Sequence, residues 1–151
     1  MARILPPWFE NVKKRQVKSP KIFVRDSGLM HWHLGIETMT ALRSHPRYGA
    51  SWEGFALEQV LMRLGDRRAF FWATQRGAEL DLLLFSRGKR WGFEFKCSDA
   101  PSMTKSMHTA ISDLSLEHLW VLYPGAEKYP LHQRADALPL VELEQAVTRI
   151  S

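Results

Sequence analysis

The chain has 151 residues, of which 45% are hydrophobic and 25% charged, a length and composition that predict one globular domain with a sizeable core. No apolar run approaches the roughly 20 residues of a membrane helix, the N-terminus lacks the apolar stretch of a signal peptide, and the single cysteine, Cys97, excludes an internal disulfide, which suits a cytoplasmic protein without a membrane partner. The net charge of +5 and the pI near 9.6 favour a polyanionic partner such as nucleic acid.

Residues 1–20 differ from the rest of the chain in composition. Two prolines near the start oppose regular structure, and basic residues dominate the second half of the segment. We interpret this segment either as an arm that lies along phosphates or as a solvated extended leader. Trp8 and Phe9 form an exposed aromatic pair unless they dock on a neighbouring surface. The basic residues that could contact nucleic acid are Lys13, Lys14, Arg15, Lys18 and Lys21.

The strongest helix signal runs from Ser51, a candidate N-cap, to about Leu64, with Gly65 placed to end the helix. A short strand at residues 21–25 and two short helices, near residues 28–35 and 37–43, precede it. On a helical projection Glu53 lies within the apolar arc, whereas Glu58 lies on the polar side. We therefore expect Glu53 to point inward and Glu58 to face solvent. The alternative for Glu53 is an acid that complements the helix dipole from the first turn.

Three strands follow, at residues 69–74, 80–85 and 91–95, and the tight turn Arg87-Gly88-Lys89 joins the last two. The two strands of this hairpin are apolar on both faces, which is typical of strands covered on both sides. Residues 103–114 then predict a helix, residues 118–123 a buried strand and residues 141–150 a terminal helix. This order of elements indicates a mixed α/β sandwich.

Three ionisable residues interrupt the hairpin, and they are costly to desolvate unless they are paired or bind a cation. Strand alternation places Asp81 on one face with Glu79, and it places Glu94 and Lys96 on one face with Gly92, which leaves open space beside the Glu94 carboxylate. The hairpin can therefore bring Asp81, Glu94 and Lys96 together. The alternative for Glu94 and Lys96 is a surface ion pair of little energetic value.

Asp81 followed by Glu94-Phe95-Lys96 resembles the PD-(D/E)xK nuclease pattern. Longer motifs are similar to the C-terminal region of bacterial and archaeal ATP-binding proteins of the DUF4143 type. These motifs are K-S-P-K-I-F-V-R-D-S-G-L at 18–29, W-E-G-F-A-L-E at 52–58, F-W-A-T at 71–74, G-A-E-L-D at 77–81 and G-F-E-F-K at 92–96.

The resemblance implies a restriction-endonuclease-like (PD-(D/E)xK) fold, a mixed sheet flanked by helices, in residues 21–151. It implies that residues 1–20 are a basic linker or the remnant of a winged-helix segment. The family's usual architecture places an AAA-type ATPase domain before these parts. The chain contains no P-loop and therefore no expected nucleotide site.

The resemblance also implies roles for individual residues. Asp81 and Glu94, with the backbone carbonyl of Phe95, would bind Mg²⁺ or Mn²⁺. Glu53 would hold a metal-bound water or a second metal, and Lys96 would orient the attacking water or stabilise the transition state. The expected activity is that of a metal-dependent endo- or exonuclease acting on DNA.

Two other interpretations stay open at this point. The same fold can serve as a non-catalytic module that binds DNA, self-associates, or docks to and regulates an AAA-type ATPase. The chain can also be a truncated product without an activity of its own. A buried cluster of Asp, Glu and Lys can be purely structural, so the residues alone do not decide between these functions.

Overall fold

The computed structural model describes residues 1–10 and 16–151. Its strands are β1 (Ala2–Leu5), β2 (Lys21–Val24), β3 (Ala69–Ala73), β4 (Glu79–Ser86), β5 (Lys89–Phe95), β6 (His118–Tyr123), β7 (Tyr129–His132) and β8 (Ala135–Pro139). Its α-helices are α1 (Ser27–His33), α2 (Met39–Ser44), α3 (Tyr48–Leu64), α4 (Lys105–Asp113) and α5 (Leu143–Ile150), the last preceded by a 3₁₀ turn at Leu140–Glu142. Within the described residues, no helix has both the length and the apolar character needed to cross a membrane.

A six-stranded mixed sheet in the order β3-β4-β5-β6-β8-β7 forms the centre of the protein. Strand β6 runs parallel to both β5 and β8, and the other neighbours are antiparallel. Helices α3 and α5 pack on one face through buried residues such as Leu57 and Leu143, and α4 packs on the other face through Met107 and Ile111. The prediction of a mixed sheet flanked by helices is therefore confirmed.

The described part of the N-terminal segment is paired with the rest of the protein. Strand β1 pairs with β2, and Leu5 at its end is only 2% exposed. Trp8 packs against Phe70 and Phe85, with ring centroids 5.1 and 4.6 Å away, whereas Phe9 is 54% exposed. Of the aromatic pair, Trp8 thus docks and Phe9 does not. The boundary at residue 20 stays a prediction, and Lys13, Lys14 and Arg15 lie outside the described residues.

Helix α3 corrects two expectations. It begins at Tyr48, so Ser51 is not its N-cap, and the Ser51 hydroxyl instead lies 2.6 Å from Nε2 of His31. Glu58 does not face solvent and is 5% exposed, because Arg3 of β1 and Arg25 beyond β2 form ion pairs with its carboxylate. A helical projection considers only the residues of the helix. It therefore could not show that the antiparallel pair of β1 and β2 covers this side of α3.

The turn between β4 and β5 is tighter than the three residues expected from the sequence. Ser86 pairs directly with Lys89, so Arg87 and Gly88 alone form the connection. Their φ angles of 51° and 73° are both positive, as two-residue hairpin turns of type I′ require. This turn sets the register of the hairpin that carries Asp81 and Glu94.

Candidate functional site

Backbone pairing between β4 and β5 ends where the acidic residues begin. The last paired residues are Leu82 and Phe93, so Asp81 and Glu94 stand one position further along their strands. There the backbone N–H of Phe95 donates to Oδ2 of Asp81 over 3.1 Å. A side chain thus replaces a backbone acceptor, and the Asp81 carboxylate lies in the gap between the two strands.

The pairing of β4 with β3 is irregular near Asp81, where the pairing of β4 with β5 ends. Opposite β3, Phe70 pairs with Leu83 but Trp72 pairs with Leu80, so β4 advances three residues while β3 advances two. The additional residue lies at Asp81 or Leu82, which is the geometry of a β-bulge. Bulges bend a strand and redirect a side chain, and they are common beside active sites.

Glu94 is the most buried acid of the cluster, with 3% of its surface exposed. Burial, followed by the charge of Asp81, raises the pKa of Glu94 well above its usual value. The two carboxyl groups are close enough to share a hydrogen bond when one is protonated. Two carboxylates that share a site repel each other, which favours a positive charge beside them or a proton on one of them.

Gly92 does not provide open space beside Glu94, contrary to our expectation. A Cβ atom at Gly92 would lie 2.7 Å from Leu116, 3.0 Å from Leu119 and 3.3 Å from Leu80. Leucine side chains from β4, β6 and the loop after α4 already fill this space. The glycine therefore serves close packing of the core, and Glu94 is enclosed by its surroundings.

Lys96 follows β5 directly and supplies the nearest positive charge. Its Nζ lies 3.3 Å from Oε2 of Glu94, and its backbone N–H donates to the Leu122 carbonyl oxygen over 2.9 Å. Burial opposes the charged form of Lys96, but the carboxylates of Glu94 and Asp81 outweigh this effect and raise its pKa. The Lys96 side chain is 38% exposed, so its ammonium group contacts both the buried Glu94 carboxylate and solvent.

Glu53 of α3 is half-buried beside these residues. Burial raises its pKa, and so does the charge of Asp81, while the charges of Lys96 and Lys21 lower it. The structure therefore brings together all four residues that the sequence singled out. Glu53 is thus partly buried, as the helical projection predicted, although Glu58 is the more buried of the two acids.

Lys21 was predicted to contact nucleic acid, but its ammonium group lies among the acids. Its Nζ is 3.6 Å from Oδ1 of Asp81 and 3.7 Å from Oε2 of Glu79. Lys21 and Glu79 are thus members of the cluster that sequence reasoning did not assign to it. The shared face of Glu79 and Asp81 was recognisable from strand alternation, but their partner on β2 was not.

The chemistry of the donor set suits a hard divalent cation. Mg²⁺ is usually bound by one or two carboxylates and keeps several waters, and Asp81 and Glu94 match this pattern. Among the described residues, no group of three or more His, Cys, Asp or Glu could hold a metal ion together. Glu53 is an electrostatic neighbour of the pair. The roles of Glu53 and of the Phe95 carbonyl as metal ligands stay predictions.

Two other basic residues near β2, the predicted Lys18 and the unpredicted Arg25, contribute less to the cluster. Lys18 is exposed before β2, where its contact with nucleic acid stays a prediction. Arg25, which directly follows β2, pairs with Glu58 at 3.2 Å and so stabilises the fold.

Comparison with known proteins places this site within a family. A model described as "Domain of unknown function (DUF4143)" matches residues 48–143, and one described as "Domain of unknown function (DUF8612)" matches residues 1–40. The uncharacterized proteins Rv2008c of Mycobacterium tuberculosis and Mb2031c of Mycobacterium bovis are each 46% identical to this chain over 139 residues. That alignment covers 92% of this chain and 32% of theirs, so the chain spans about a third of the length of these curated relatives. No solved structure matches the chain.

Proposed function

The chain belongs to the DUF4143 family, and from that premise we propose that it is a metal-dependent nuclease domain that cleaves DNA phosphodiesters. One observation carries the proposal: Asp81 and the buried Glu94 lie together at the point where β4 and β5 stop pairing, with Lys96 beside them. Mutual repulsion of the two carboxylates favours a cation at this place.

A restriction-endonuclease-like (PD-(D/E)xK) arrangement is part of this proposal. Three features support it: the mixed sheet, the acid Glu53 on a helix that packs on one face, and the hairpin whose second strand ends in Glu94-Phe95 and is followed by Lys96. A fold hosts many functions, so the activity is argued from the site and not from the fold.

Asp81 and Glu94 would hold Mg²⁺ or Mn²⁺ through carboxylate oxygens. The bound cation would lower the pKa of a water and offset the negative charge that develops on the phosphate. The raised pKa of Glu53 suits a carboxylate that accepts a proton from such a water. Lys96 stays protonated because its pKa is raised, and its ammonium N–H groups can donate to a water or a phosphate oxygen.

The net charge of +5 supports DNA as the substrate, because phosphate contacts supply most of the non-specific affinity of nucleic-acid-binding proteins. The charge excess also supports salt-sensitive binding. Lys18, together with Lys13, Lys14 and Arg15, provides the proposed contacts on the N-terminal side.

Cleavage assays test the proposal. Purified protein should degrade plasmid or single-stranded DNA with Mg²⁺ or Mn²⁺ and not with EDTA. Asp81→Asn and Lys96→Ala should abolish cleavage, whereas the controls Glu144→Gln and Lys128→Ala should retain it, because both side chains are exposed and pair with other residues, Arg63 and Asp136. Metal-dependent cleavage that survives Asp81→Asn would refute the assignment of this site.

A second candidate function is a non-catalytic module that binds DNA or docks to and regulates an AAA-type ATPase. The ion pairs favour it, because Lys21 and Lys96 already compensate Asp81 and Glu94 in the absence of a metal. Salt-sensitive DNA binding without cleavage, unchanged in Asp81→Asn, would support the module and exclude the nuclease.

A further inference from the structure

Lys21 lies beside one of the two carboxylate oxygens of Asp81. Asp81 has two carboxylate oxygens: Oδ2 accepts from the Phe95 N–H at 3.1 Å, and Oδ1 faces the Lys21 ammonium at 3.6 Å. The same ammonium lies 3.7 Å from Oε2 of Glu79 and 5.2 Å from the centre of the Phe71 ring. Lys21 therefore covers the carboxylate oxygen that has no backbone donor.

The backbone of Lys21 is held in place while its side chain is not enclosed. Lys21 pairs with Leu5, which is 2% exposed, and the β1–β2 hairpin is fastened to α3 by the ion pairs of Arg3 and Arg25 with Glu58. The Lys21 side chain is 31% exposed. Rotation of its side chain can therefore move the ammonium group without unpairing the hairpin.

A divalent cation on Asp81 would compete with this ammonium group. Carboxylate oxygens bind Mg²⁺ at about 2.0–2.1 Å. Oδ1 of Asp81 accepts no backbone N–H from the described residues, so a cation at Oδ1 would take the place beside which Lys21 lies. A divalent cation and the Lys21 ammonium group would repel each other if both lay beside the same Asp81 oxygen.

We propose that Lys21 is the resident counter-ion of Asp81 and that a divalent cation displaces it on binding. This role deepens the proposed function and presupposes it, because it requires Asp81 to be a metal ligand. The strand pair at the N-terminus, outside the residues 48–143 matched by the DUF4143 model, thereby supplies a side chain that sets the metal affinity of the site.

Calorimetric titration with Mn²⁺ tests this role in the full chain. The variant Lys21→Met keeps an unbranched side chain that is one heavy atom shorter, and it removes the charge. We expect it to bind Mn²⁺ roughly fivefold more tightly than the wild type, because a partly exposed ion pair of up to about 1 kcal/mol no longer has to be broken. The control Lys18→Met removes an exposed charge shortly before β2 and should leave the affinity within about twofold.

The titration distinguishes the proposed role of Lys21 from the proposed metal site itself. Equal or weaker Mn²⁺ binding by folded Lys21→Met, beside binding by the wild type, overturns the role of Lys21 and leaves the metal site intact. A failure of the wild type to bind Mn²⁺ at millimolar concentration overturns both.

Wild-type protein provides a second measurement that needs no variant. Acetylation of individual lysines, followed by mass spectrometry, should show Lys21 becoming several-fold more reactive when Mn²⁺ is added, because its ammonium leaves the acids. Lys18 should react equally with and without the metal. An unchanged or reduced rate at Lys21 under saturating Mn²⁺ would contradict displacement.

Discussion

The backbone N–H of Phe95 donates to Oδ2 of Asp81 at 3.1 Å, one residue beyond the last backbone pair of β4 and β5. Asp81 therefore has two roles that can be separated: it closes the end of the hairpin through an acceptor oxygen, and it supplies a negative charge beside Glu94. An amide oxygen can fill the first role but not the second.

Asp81→Asn should separate these roles. The asparagine carbonyl can still accept from Phe95, and removal of the charge relieves repulsion with Glu94, so the Tm in EDTA should stay the same or rise. Mn²⁺ binding, measured by calorimetry, should weaken at least tenfold, because a charged ligand is lost. The matched control Glu79→Gln, one alternating position earlier on the same strand, should change the affinity far less. Retention of wild-type affinity in Asp81→Asn would show that this residue is not a ligand.

Glu94→Gln should alter how the stability of the metal-free protein depends on pH. Burial and the charge of Asp81 raise the folded-state pKa of Glu94, so the folded state binds its proton more tightly than the unfolded state. The resulting stability is fully present below the unfolded pKa of about 4.3 and is lost as the pH rises through the raised folded pKa. Because glutamine imitates the protonated form, the variant should gain in Tm relative to the wild type as the pH rises across that window.

Thermal denaturation in EDTA at a series of pH values measures this difference. Glu127→Gln, at an exposed position, is the control and should follow the wild type throughout. A difference in Tm between Glu94→Gln and wild type that is constant from pH 4 to pH 9 would contradict the raised pKa.

The ion pairs of Glu58 should stabilise the attachment of the N-terminal hairpin. Glu58→Gln would leave Arg3 and Arg25 without their shared carboxylate, and breaking a buried ion pair costs about 3 kcal/mol. Urea denaturation should show this loss, whereas Glu144→Gln, which breaks an exposed pair with Arg63, should cost less than about 1 kcal/mol.

The stabilisation by Glu58 should also depend on pH. Burial opposes its charged form, but the hydrogen bond with Arg3 and the charges of both arginines outweigh burial and lower the pKa of Glu58. The contribution is therefore present above the unfolded pKa of about 4.3 and is lost as the pH falls through the lowered folded pKa. A wild-type advantage over Glu58→Gln that persists unchanged at acid pH would argue against the ion pair.

Gly92→Ala should destabilise the protein by about 1–3 kcal/mol, because the new methyl group would overpack buried leucines. Gly54→Ala is the matched control: it lies inside α3 with nothing near its missing Cβ, and alanine is favoured over glycine in a helix by about 1 kcal/mol. Urea denaturation should thus give changes of opposite sign. Tolerance of Gly92→Ala without loss of stability would mean that the leucines can move aside.

The hairpin and its acids were predictable because they depend on local rules. The positive-φ turn and the residue spacing bring Asp81, Glu94 and Lys96 to one end of two adjacent strands. The inward direction of Glu53 followed from helical periodicity, since α3 packs on the sheet with the same face that carries its leucines.

Other features depended on long-range contacts that no local rule contains. The burial of Glu58 and the place of Lys21 both result from the β1–β2 hairpin, whose packing position the sequence does not reveal. The bulge in β4 breaks the alternation from which the direction of Asp81 was inferred, and the space beside Gly92 is taken by leucines from distant elements.

The hydrogen bond between Phe95 and Asp81 lies within the β4–β5 hairpin, whose turn has two residues. Lys21 and Glu53 come to this place from distant parts of the chain. Loop-closure entropy delays contacts of long sequence separation, and short hairpins form within microseconds. During folding, the Asp81–Glu94 pair should therefore assemble before the two side chains that modulate its charge. A newly folding chain would pass through a stage in which the two acids are together and Lys96, directly after the second strand, compensates them before Lys21 does.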